Sequence, residues 1–420
     1  RAYLIFSHFF SERETLITHQ SVPFSQIQPL RRTVEVKIMK SNAECTKVSA
    51  DTLEHVCSLI GNSKVSECEG KTVVKPANAD ELSKVVSAVM AAGGSISPLS
   101  RKGSHTEGDV LVDMSEMNAL IDVDTDAQVV RAQAGCKFSA IIKAVEAEGY
   151  TIGVRPAGAD PTVEDWIYTE SEGIGSYKYG TVKDSVINIR AVDAAGKLLE
   201  TGYDEIGYYM SGYNMIQTLA ASSGRLAIVT EATFKIHPMG VTKAVGYEFP
   251  SAEKMQEVFQ AIGQSPSLKP LQISFNGMLS IIAFQGAEEF VDADLEALDA
   301  IMAEAGAVKA EQSVADDKFG NIGVGACVNP EAATMYVPLR NMAAAIDAFK
   351  GVAGFDIAGN VPDKSTVAIK LTGEVSDADY DAAADKAEEL GGRSSTRCPS
   401  KYRDEATNRF IRRIEDAYMG

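Results

Sequence analysis

Hydrophobic positions along the chain predict alternating strands and helices between Lys71 and Pro238. A short apolar strand at 72–74 is followed by a helix with Asn78 as its N-cap, whose apolar residues recur at helical spacing until Gly93-Gly94 stops it. Strands joined by both helices and tight turns indicate an α+β fold. Further strands are predicted at 95–98, 109–114 and 128–133, and a further helix at 138–148.

The spacing of hydrophobic positions changes after Gly240, and the new pattern predicts a second α+β unit. Two β-α-β-like halves of this length favour a ferredoxin-like sheet, which would form a compact cap over the first unit. The basic segment 401–413 is typical of a closing amphipathic helix. Helices are predicted at 252–262, 293–305 and 342–349, and strands at 271–275, 279–284 and 334–338.

These changes of pattern divide the chain into five predicted segments. Residues 1–38 lack an initiator Met and show no sustained period, so we interpret them as an atypical extension: an upstream translated stretch, a tag or a targeting remnant, with Met39 as the natural start. The other predicted segments are a helical lead-in at 39–70, a first domain at 71–239, a cap domain at 240–390 and a C-terminal helix at 391–420.

Composition narrows the classes of partner. The 420 residues carry a formal net charge of −18, which disfavours nucleic acid and acidic membranes as partners. No apolar run approaches the roughly 18–20 residues needed to span a bilayer, so we expect a cytoplasmic protein without a membrane span. The six cysteines include no C-x-x-C pair, which argues against an iron–sulfur or zinc site in this chain and favours reduced thiols.

Four glycine-containing turns occur in order between residues 98 and 233. Glycine permits close backbone approach in such turns, but by itself the first of them is equally compatible with an ordinary polar turn between strands. The turns are Arg101-Lys102-Gly103-Ser104-His105, Pro156-Ala157-Gly158-Ala159, Tyr179-Gly180-Thr181-Val182-Lys183-Asp184, and Ser222-Ser223-Gly224 with the strand Ile228-Val229-Thr230-Glu231-Ala232.

In this order the turns resemble the PCMH-type FAD-binding domain of the vanillyl-alcohol-oxidase family, and the chain from Lys71 onward is similar to D-lactate dehydrogenases and glycolate oxidase flavin subunits. The resemblance implies one FAD in a two-subdomain domain beneath the ferredoxin-like cap. The FAD contacts that it implies are Arg101, Lys102, Gly103, Ser104, His105, Gly158, Gly173, Gly175, Tyr179, Gly180, Asp184, Ser222, Ser223, Gly224, Ile228 and Val229.

Four residues at three sites each allow two interpretations. His105 is in register with relatives that attach FAD covalently through this imidazole, or it is hydrogen-bonded to a loop carbonyl. Glu164 and Asp165 replace the glycines expected against the diphosphate, so FAD would sit differently or weakly there. Arg340 is a candidate bidentate donor to a substrate carboxylate, or a solvated arginine at a helix start.

The chain has five histidines and none after residue 237. The cap segment 357–361 and the segment 391–398 fall where the glycolate oxidase type carries imidazoles, so we expect no divalent metal and no histidine base. One hypothesis is an oxidoreductase that passes a hydride from a small organic substrate, with a hydroxy acid among the candidates, to FAD.

Its electrons would then go to an iron–sulfur partner subunit. The alternative is a catalytically degenerate flavin subunit with an electron-transfer or structural role. A self-sufficient enzyme is a further outcome, with Tyr177, Tyr179 or Glu170 as an improvised base.

Overall fold

The computed structural model describes residues 49–68, 71–99, 108–157, 160–169, 172–207, 213–222, 224–320, 333–350, 356–372, 376–394, 409 and 413. All of them belong to one unit, Thr46–Gly420. Of the closing helix predicted at 401–413, only residues 409 and 413 are described, and both are helical. Within these ranges no helix combines the length and the apolar character needed to cross a membrane.

The described chain up to residue 238 forms two sheets with seven α-helices. Its helices are α1 (Ala50–Ile60), α2 (Ala79–Ala91), α3 (Phe138–Ala147), α4 (Val163–Thr169), α5 (Ser176–Tyr179), α6 (Val182–Ser185) and α7 (Met215–Ser222), with 3₁₀ turns at Asn62–Lys64 and Met114–Glu116. Its strands are β1 (Val65–Cys68), β2 (Lys71–Val74), β3 (Ile96–Pro98), β4 (Val110–Val112), β5 (Leu120–Asp124), β6 (Val129–Gln133), β7 (Tyr150–Ile152), β8 (Val186–Asp193), β9 (Leu198–Glu200) and β10 (Ala227–Pro238).

The first sheet has the order β1-β2-β4-β3, in which β2, β4 and β3 are parallel. The second has the order β5-β6-β10-β8-β9 and is antiparallel, with β7 added to the end of β10. The predicted helix after Asn78 is confirmed, because the Asn78 side chain accepts a hydrogen bond from the Glu81 N–H at 2.9 Å. Both sheets share one hydrophobic core that extends from Val56 to Ile236.

The described chain after residue 240 contains two consecutive βαββαβ units. The first is β11 (Val241–Glu248), α8 (Ala252–Gln264), β12 (Gln272–Asn276), β13 (Leu279–Gly286), α9 (Glu288–Glu304) and β14 (Val308–Lys309), followed by α10 (Gln312–Lys318). The second is β15 (Ala333–Pro338), a 3₁₀ turn at Leu339–Asn341, α11 (Met342–Lys350), β16 (Asp356–Asn360), β17 (Thr366–Thr372), α12 (Asp377–Glu389) and β18 (Arg393–Ser394).

These units form one antiparallel sheet of order β14-β11-β13-β12-β16-β17-β15-β18. Each unit keeps the ferredoxin-like strand order, and the two are joined edge to edge by β12 and β16. Helices α8, α9, α11 and α12 pack on one face around a second core, from Val245 to Ala387. The predicted ferredoxin-like cap is therefore confirmed, although α9 begins five residues before its predicted start at 293.

A half-buried ring pair packs α5 against the end of β10. The Tyr179 ring stacks on His237 with centroids 4.5 Å apart and an interplanar angle of 19°. Gly153 lies against both rings, since a Cβ there would be 3.1 Å from Tyr179 and 3.2 Å from His237 Nε2. Burial lowers the pKa of His237, and the ammonium groups of Lys235 and Lys178 lower it further.

We predict that replacing His237 with Phe flattens the acid side of the stability profile. Because the folded state holds His237 neutral, the unfolded chain takes up a proton first as the pH falls. The stability from the neutral imidazole is complete above the ordinary histidine pKa of about 6.5 and is lost as the pH falls below it. The fall in Tm between pH 7.5 and 5.5 should be smaller for His237→Phe than for the wild type.

The matched control is His55→Phe, which replaces an exposed imidazole on α1. This variant should keep the wild-type fall in Tm. An unchanged fall in His237→Phe would contradict the prediction.

Candidate functional site

Helix α4 is where the described segments that are predicted to contact FAD meet. Trp166 on this helix is 1% exposed, and its ring centroid lies 5.9 Å from that of Phe138. A Cβ on Gly173 would lie 3.0 Å from the Trp166 ring and 2.1 Å from the Arg155 carbonyl oxygen. The start of the segment 173–184 therefore lies directly against α4.

The other side of α4 contacts the segment 222–230. The Val229 N–H donates to the Tyr168 hydroxyl at 3.0 Å. Gly224, with φ of +81°, lies so close that a Cβ would be 2.5 Å from Pro98 Cγ and 3.4 Å from the Tyr168 ring. Pro98 is the last residue of β3, so two predicted segments and the strand before the Arg101–His105 turn converge on one helix.

A cavity of about 540 Å³ opens at the first turn of α4. Its volume falls within the range of about 300–1,000 Å³ that is usual for cofactor sites. It lies between the ends of the first sheet and the start of α3. Its lining consists of Leu99, Asp113, Met114, Ser115, Asn118, Gly135, Cys136, Lys137, Ala140, Thr162, Glu164 and Asp165.

The two carboxylates that depart from the family pattern both line this cavity. Asp165 accepts hydrogen bonds from the Thr162 N–H at 3.0 Å and the Thr162 hydroxyl at 2.8 Å, so its negative charge is used within the first turn of α4. Glu164 is 1% exposed. Lys137 supplies a cation to the same lining and donates to the Asp160 carbonyl at 3.1 Å.

One buried hydroxyl close to the cavity is suited to a polar atom of FAD. Ser97 on β3 has a buried hydroxyl with no hydrogen-bond partner in the structure. It lies just before Leu99, which lines the cavity and adjoins the segment 100–107. A buried hydroxyl of this kind is expected to bond to something, and a cofactor oxygen is suitable. The predicted contacts Arg101, Lys102, Gly103, Ser104, His105, Gly158 and Ser223 lie outside the described residues.

The predicted contacts around α5 and α6 have visible roles within the protein. Gly175 has φ of +99°, and a Cβ there would lie 2.0 Å from the Gly153 carbonyl oxygen, so only glycine lets the two segments pass. Asp184 accepts from the N–H and the hydroxyl of Thr181, both at 2.8 Å, and thereby caps α6. Gly180 lies against this Asp184 carboxylate.

The second face of the cap sheet carries buried polar side chains, which sequence reasoning missed. We call Gln272, Ser274, Asn360, Lys370 and Thr334 the polar row. Ser274 pairs with Asn360 and Lys370 with Thr334, so the row crosses the seam between the two βαββαβ units. All five residues are at most 7% exposed. The alternation of Thr366–Thr372 was a usable signal for β17, but the row itself depends on pairing between distant strands.

The polar face of the cap packs against the segment that leads into α5. The Tyr336 hydroxyl donates to Glu172 Oε2 at 2.7 Å, and Glu172 is 3% exposed. Lys178 Nζ donates to the Gln285 carbonyl at 2.7 Å. The polar row thus lies above the segment 172–180, next to the Tyr179 turn.

Arg340 lies apart from the polar row. It follows β15 on the Leu339–Asn341 turn, is exposed, and shares a groove of about 470 Å³ with Arg393 and Gly391-Gly392 at the sheet edge. The structure does not bring Arg340 into the polar row, and its role as a carboxylate donor stays a prediction. Ile228 and Val229 are buried in the core of β10, at 3% and 0% exposure.

Residues 71–202 match the family model described as FAD binding domain. The chain is 30% identical over 170 residues to an uncharacterized FAD-linked oxidoreductase of Mycobacterium tuberculosis, which covers 39% of this chain and 37% of the relative. It is 30% identical over 194 residues to D-lactate dehydrogenase of Archaeoglobus fulgidus, covering 44% and 43%. It is 29% identical over 178 residues to glycolate oxidase subunit GlcD of Bacillus subtilis, covering 41% and 38%.

The matched parts therefore span about two fifths of the length of these relatives. Solved structures extend the likeness of fold over nearly the whole chain. An alkyldihydroxyacetonephosphate synthase superposes with a TM-score of 0.69 at 16% identity, covering 90% of this chain and 85% of the other. The 4-ethylphenol oxidase of Gulosibacter chungangensis also gives a TM-score of 0.69, at 14% identity, covering 89% and 96%. The chain therefore contains an FAD binding domain at residues 71–202, and its fold is that of the PCMH-type FAD-binding proteins.

Proposed function

We propose that this chain is the flavin subunit of an FAD-dependent oxidoreductase, which oxidises a small organic substrate under the cap and delivers the electrons to a partner subunit. The observation that carries the proposal is the position of α4: its first turn lines the cavity, and it lies against the segment 172–180, which packs beneath the polar face of the cap. Relatives named FAD-linked oxidoreductase, D-lactate dehydrogenase and glycolate oxidase subunit support the reaction class.

The cavity lining and the predicted contacts from 101 to 229 would hold FAD, and FAD supplies a hydride-accepting ring when bound. The chain's own residues would position the cofactor and enclose the site. Gly173 and Gly175 permit the close turn beneath the cap, and the Tyr336–Glu172 hydrogen bond closes the cap over it. Closing the site excludes water, which strengthens every polar contact inside.

The partner is proposed to be an iron–sulfur protein. The Bacillus subtilis relative is named glycolate oxidase subunit GlcD, which supports the proposal that this chain works together with other subunits. The six cysteines of this chain include no C-x-x-C pair, so an onward carrier would have to come from another chain.

A second candidate function is a catalytically degenerate flavin subunit with an electron-transfer or structural role. The observation that favours it is the lack of histidine between residues 238 and 420, where the glycolate oxidase type is expected to carry imidazoles. The two candidates differ in one measurable respect: only the first reduces its flavin with an organic substrate.

We predict that the purified protein shows a flavin absorption spectrum that glycolate or D-lactate bleaches under anaerobic conditions. The spectrum should be recorded before and after acid precipitation, because flavin that stays in the pellet is covalently attached and tests the His105 hypothesis. A bound flavin that no hydroxy acid or alcohol reduces would support the degenerate subunit. A protein that takes up no FAD at all would contradict both candidates.

We predict that Gly175→Ala weakens FAD binding by more than about tenfold, because the methyl group clashes with the Gly153 carbonyl oxygen as well as straining the backbone. Trp166 is the single tryptophan of the chain, and its fluorescence should be quenched as FAD is titrated into apoprotein.

Gly149→Ala is the matched control. Gly149 also has positive φ, at +78°, but a Cβ there would meet nothing within 4 Å. This variant should lose only the strain energy of about 1–2 kcal/mol in the free energy of unfolding and should bind FAD as the wild type does. Equal FAD affinity in the two variants would refute the close approach at Gly175.

We predict that the native protein copurifies with a cysteine-rich iron–sulfur partner from a tagged chromosomal copy. The partner should be identified by mass spectrometry and by its visible absorption after the flavin contribution is subtracted. Steady turnover by the isolated chain with a soluble acceptor at more than about one per second would decide for a self-sufficient enzyme.

A further inference from the structure

The groove at the border of the cap sheet brings together two arginines without an acidic partner. Its lining includes Arg340 and Arg393 but no aspartate or glutamate. Within the part of the chain that the structure describes, neither guanidinium forms a salt bridge. Arg131 and Arg190 of the flavin-binding half, by contrast, both pair with Asp204. Because the chain has a net charge of −18, a groove lined by two cations and no acid is a local site that attracts anions.

The end of α12 does not account for these two cations. Arginines near the C-terminus of a helix often bind its last carbonyl groups. Here the backbone N–H groups of Gly391 and Gly392 donate to carbonyls of the last turn at 3.0 and 2.7 Å. The Asn341 side-chain amide donates to the Leu390 carbonyl at 2.8 Å. The carbonyl groups therefore have donors of their own, which leaves both guanidinium groups available for a ligand.

Two acids on neighbouring segments are also engaged within their own elements. Asp363, in the turn before β17, accepts hydrogen bonds from the N–H groups of Ser365 and Thr366 at 2.7 and 2.9 Å. Glu389, the last residue of α12, forms a salt bridge with Lys386 at 2.7 Å. The groove therefore keeps its positive character beside these carboxylates.

The backbone on both sides of the groove is firmly held. Gly392 lies so close to β15 that a Cβ there would be 2.1 Å from the Tyr336 carbonyl oxygen, so only glycine permits this approach. The Leu339 N–H donates to the Ser365 carbonyl at 2.7 Å and fixes the turn that carries Arg340. The two arginines therefore extend from a rigid frame.

The ring of Tyr336 orients one of the two guanidinium groups. Arg393 stacks over this ring at 4.6 Å from its centroid. The ring is itself anchored, because its hydroxyl donates to the buried Glu172 at 2.7 Å. A guanidinium that lies flat on an aromatic ring keeps its in-plane N–H groups free for a ligand. Arg393 therefore loses little conformational freedom when an anion binds.

We propose that Arg340 and Arg393 form a binding site for a small organic dianion, either a phosphate monoester or a dicarboxylate. The site goes beyond the proposed oxidoreductase function and does not rest on it. Its lining shares no residue with the cavity at α4 or with the polar row.

The chemistry of the groove selects this class of ligand. The planar fork of a guanidinium matches two oxygens of one carboxylate or phosphate group. Two guanidinium groups without counter-charges are balanced by two negative charges, whereas a monoanion would leave one of them unbalanced. Thr366 adds a hydroxyl to the lining, which can donate to a further ligand oxygen.

The test is isothermal titration calorimetry of the full-length chain saturated with FAD, so that the cofactor site is closed to phosphate. The probes are inorganic phosphate, succinate and acetate, compared at equal, low ionic strength because exposed charges are screened by salt. Phosphate or succinate should bind at least about tenfold more tightly than acetate, the change expected for one additional charged hydrogen-bonded contact. Tighter binding of phosphate would identify a phosphate monoester as the ligand class, and tighter binding of succinate a dicarboxylate.

Arg340→Gln and Arg393→Gln should each weaken binding of the preferred dianion by at least about tenfold. Both side chains are exposed, so neither change is expected to disturb folding. Lys309→Gln is the matched control, because it removes one positive charge from β14 at the opposite border of the same sheet. This variant should bind the dianion as the wild type does.

Three results would overturn the site. The first is a wild-type chain that binds neither phosphate nor succinate, which would leave Arg340 a solvated arginine at a helix start. The second is unchanged binding in both arginine variants. The third is acetate binding as tight as that of the dianions, which would show that only one charge is recognised.

A pair of variants at Tyr336 tests the orientation of Arg393. Tyr336→Phe and Tyr336→Leu both lose the hydrogen bond to Glu172, but only the leucine variant loses the ring face under the guanidinium. The leucine variant should bind the dianion about two- to fivefold more weakly than the phenylalanine variant, the change expected for an exposed cation–π contact. Equal binding in the two variants would count against an arginine that is held in place by the ring.

Discussion

The packing of α4 is the interaction on which the flavin-binding half depends. This helix is only seven residues long, yet Trp166 and Tyr168 extend from it to segments that are far apart in the sequence. Glycine is required at both contact points, because a Cβ on Gly173 or Gly224 would enter the space of α4 or its neighbours. The first turn of the same helix lines the cavity, so any shift of α4 would move the cavity lining and both flanking turns together.

The cap sheet has two unlike faces, one packed against apolar helices and the other lined by polar side chains. Alternate side chains of β12, β16, β17 and β15 point into an apolar helical layer, while those between them form the polar row. Each βαββαβ unit buries its own helices, so the seam between the units is free to carry polar groups without weakening either core. The polar row therefore places hydrogen-bonding side chains on a sheet whose sequence contains no histidine.

Elements whose signals are local were predictable from the sequence. The side chain of Asn78 caps α2, and the apolar periods of β8 and α8 match the observed elements. The strand β11 and the early start of α9 escaped prediction, since Ala and Glu near 288 are compatible with several local structures. The contact between Gly224 and Pro98 and the pairing of Ser274 with Asn360 join residues more than 80 positions apart, so no single-sequence pattern encodes them.

The outermost strands of the cap sheet, β14 and β18, are only two residues long. A sheet of eight strands with long free borders would offer rows of unpaired N–H and carbonyl groups to another chain. Lys309 on β14 forms a salt bridge with Asp299, and the guanidinium of Arg393 on β18 stacks over the ring of Tyr336. Short, cationic borders of this kind offer a neighbouring chain few free backbone groups with which to extend the sheet, so the breadth of the cap does not make it a template for further strands.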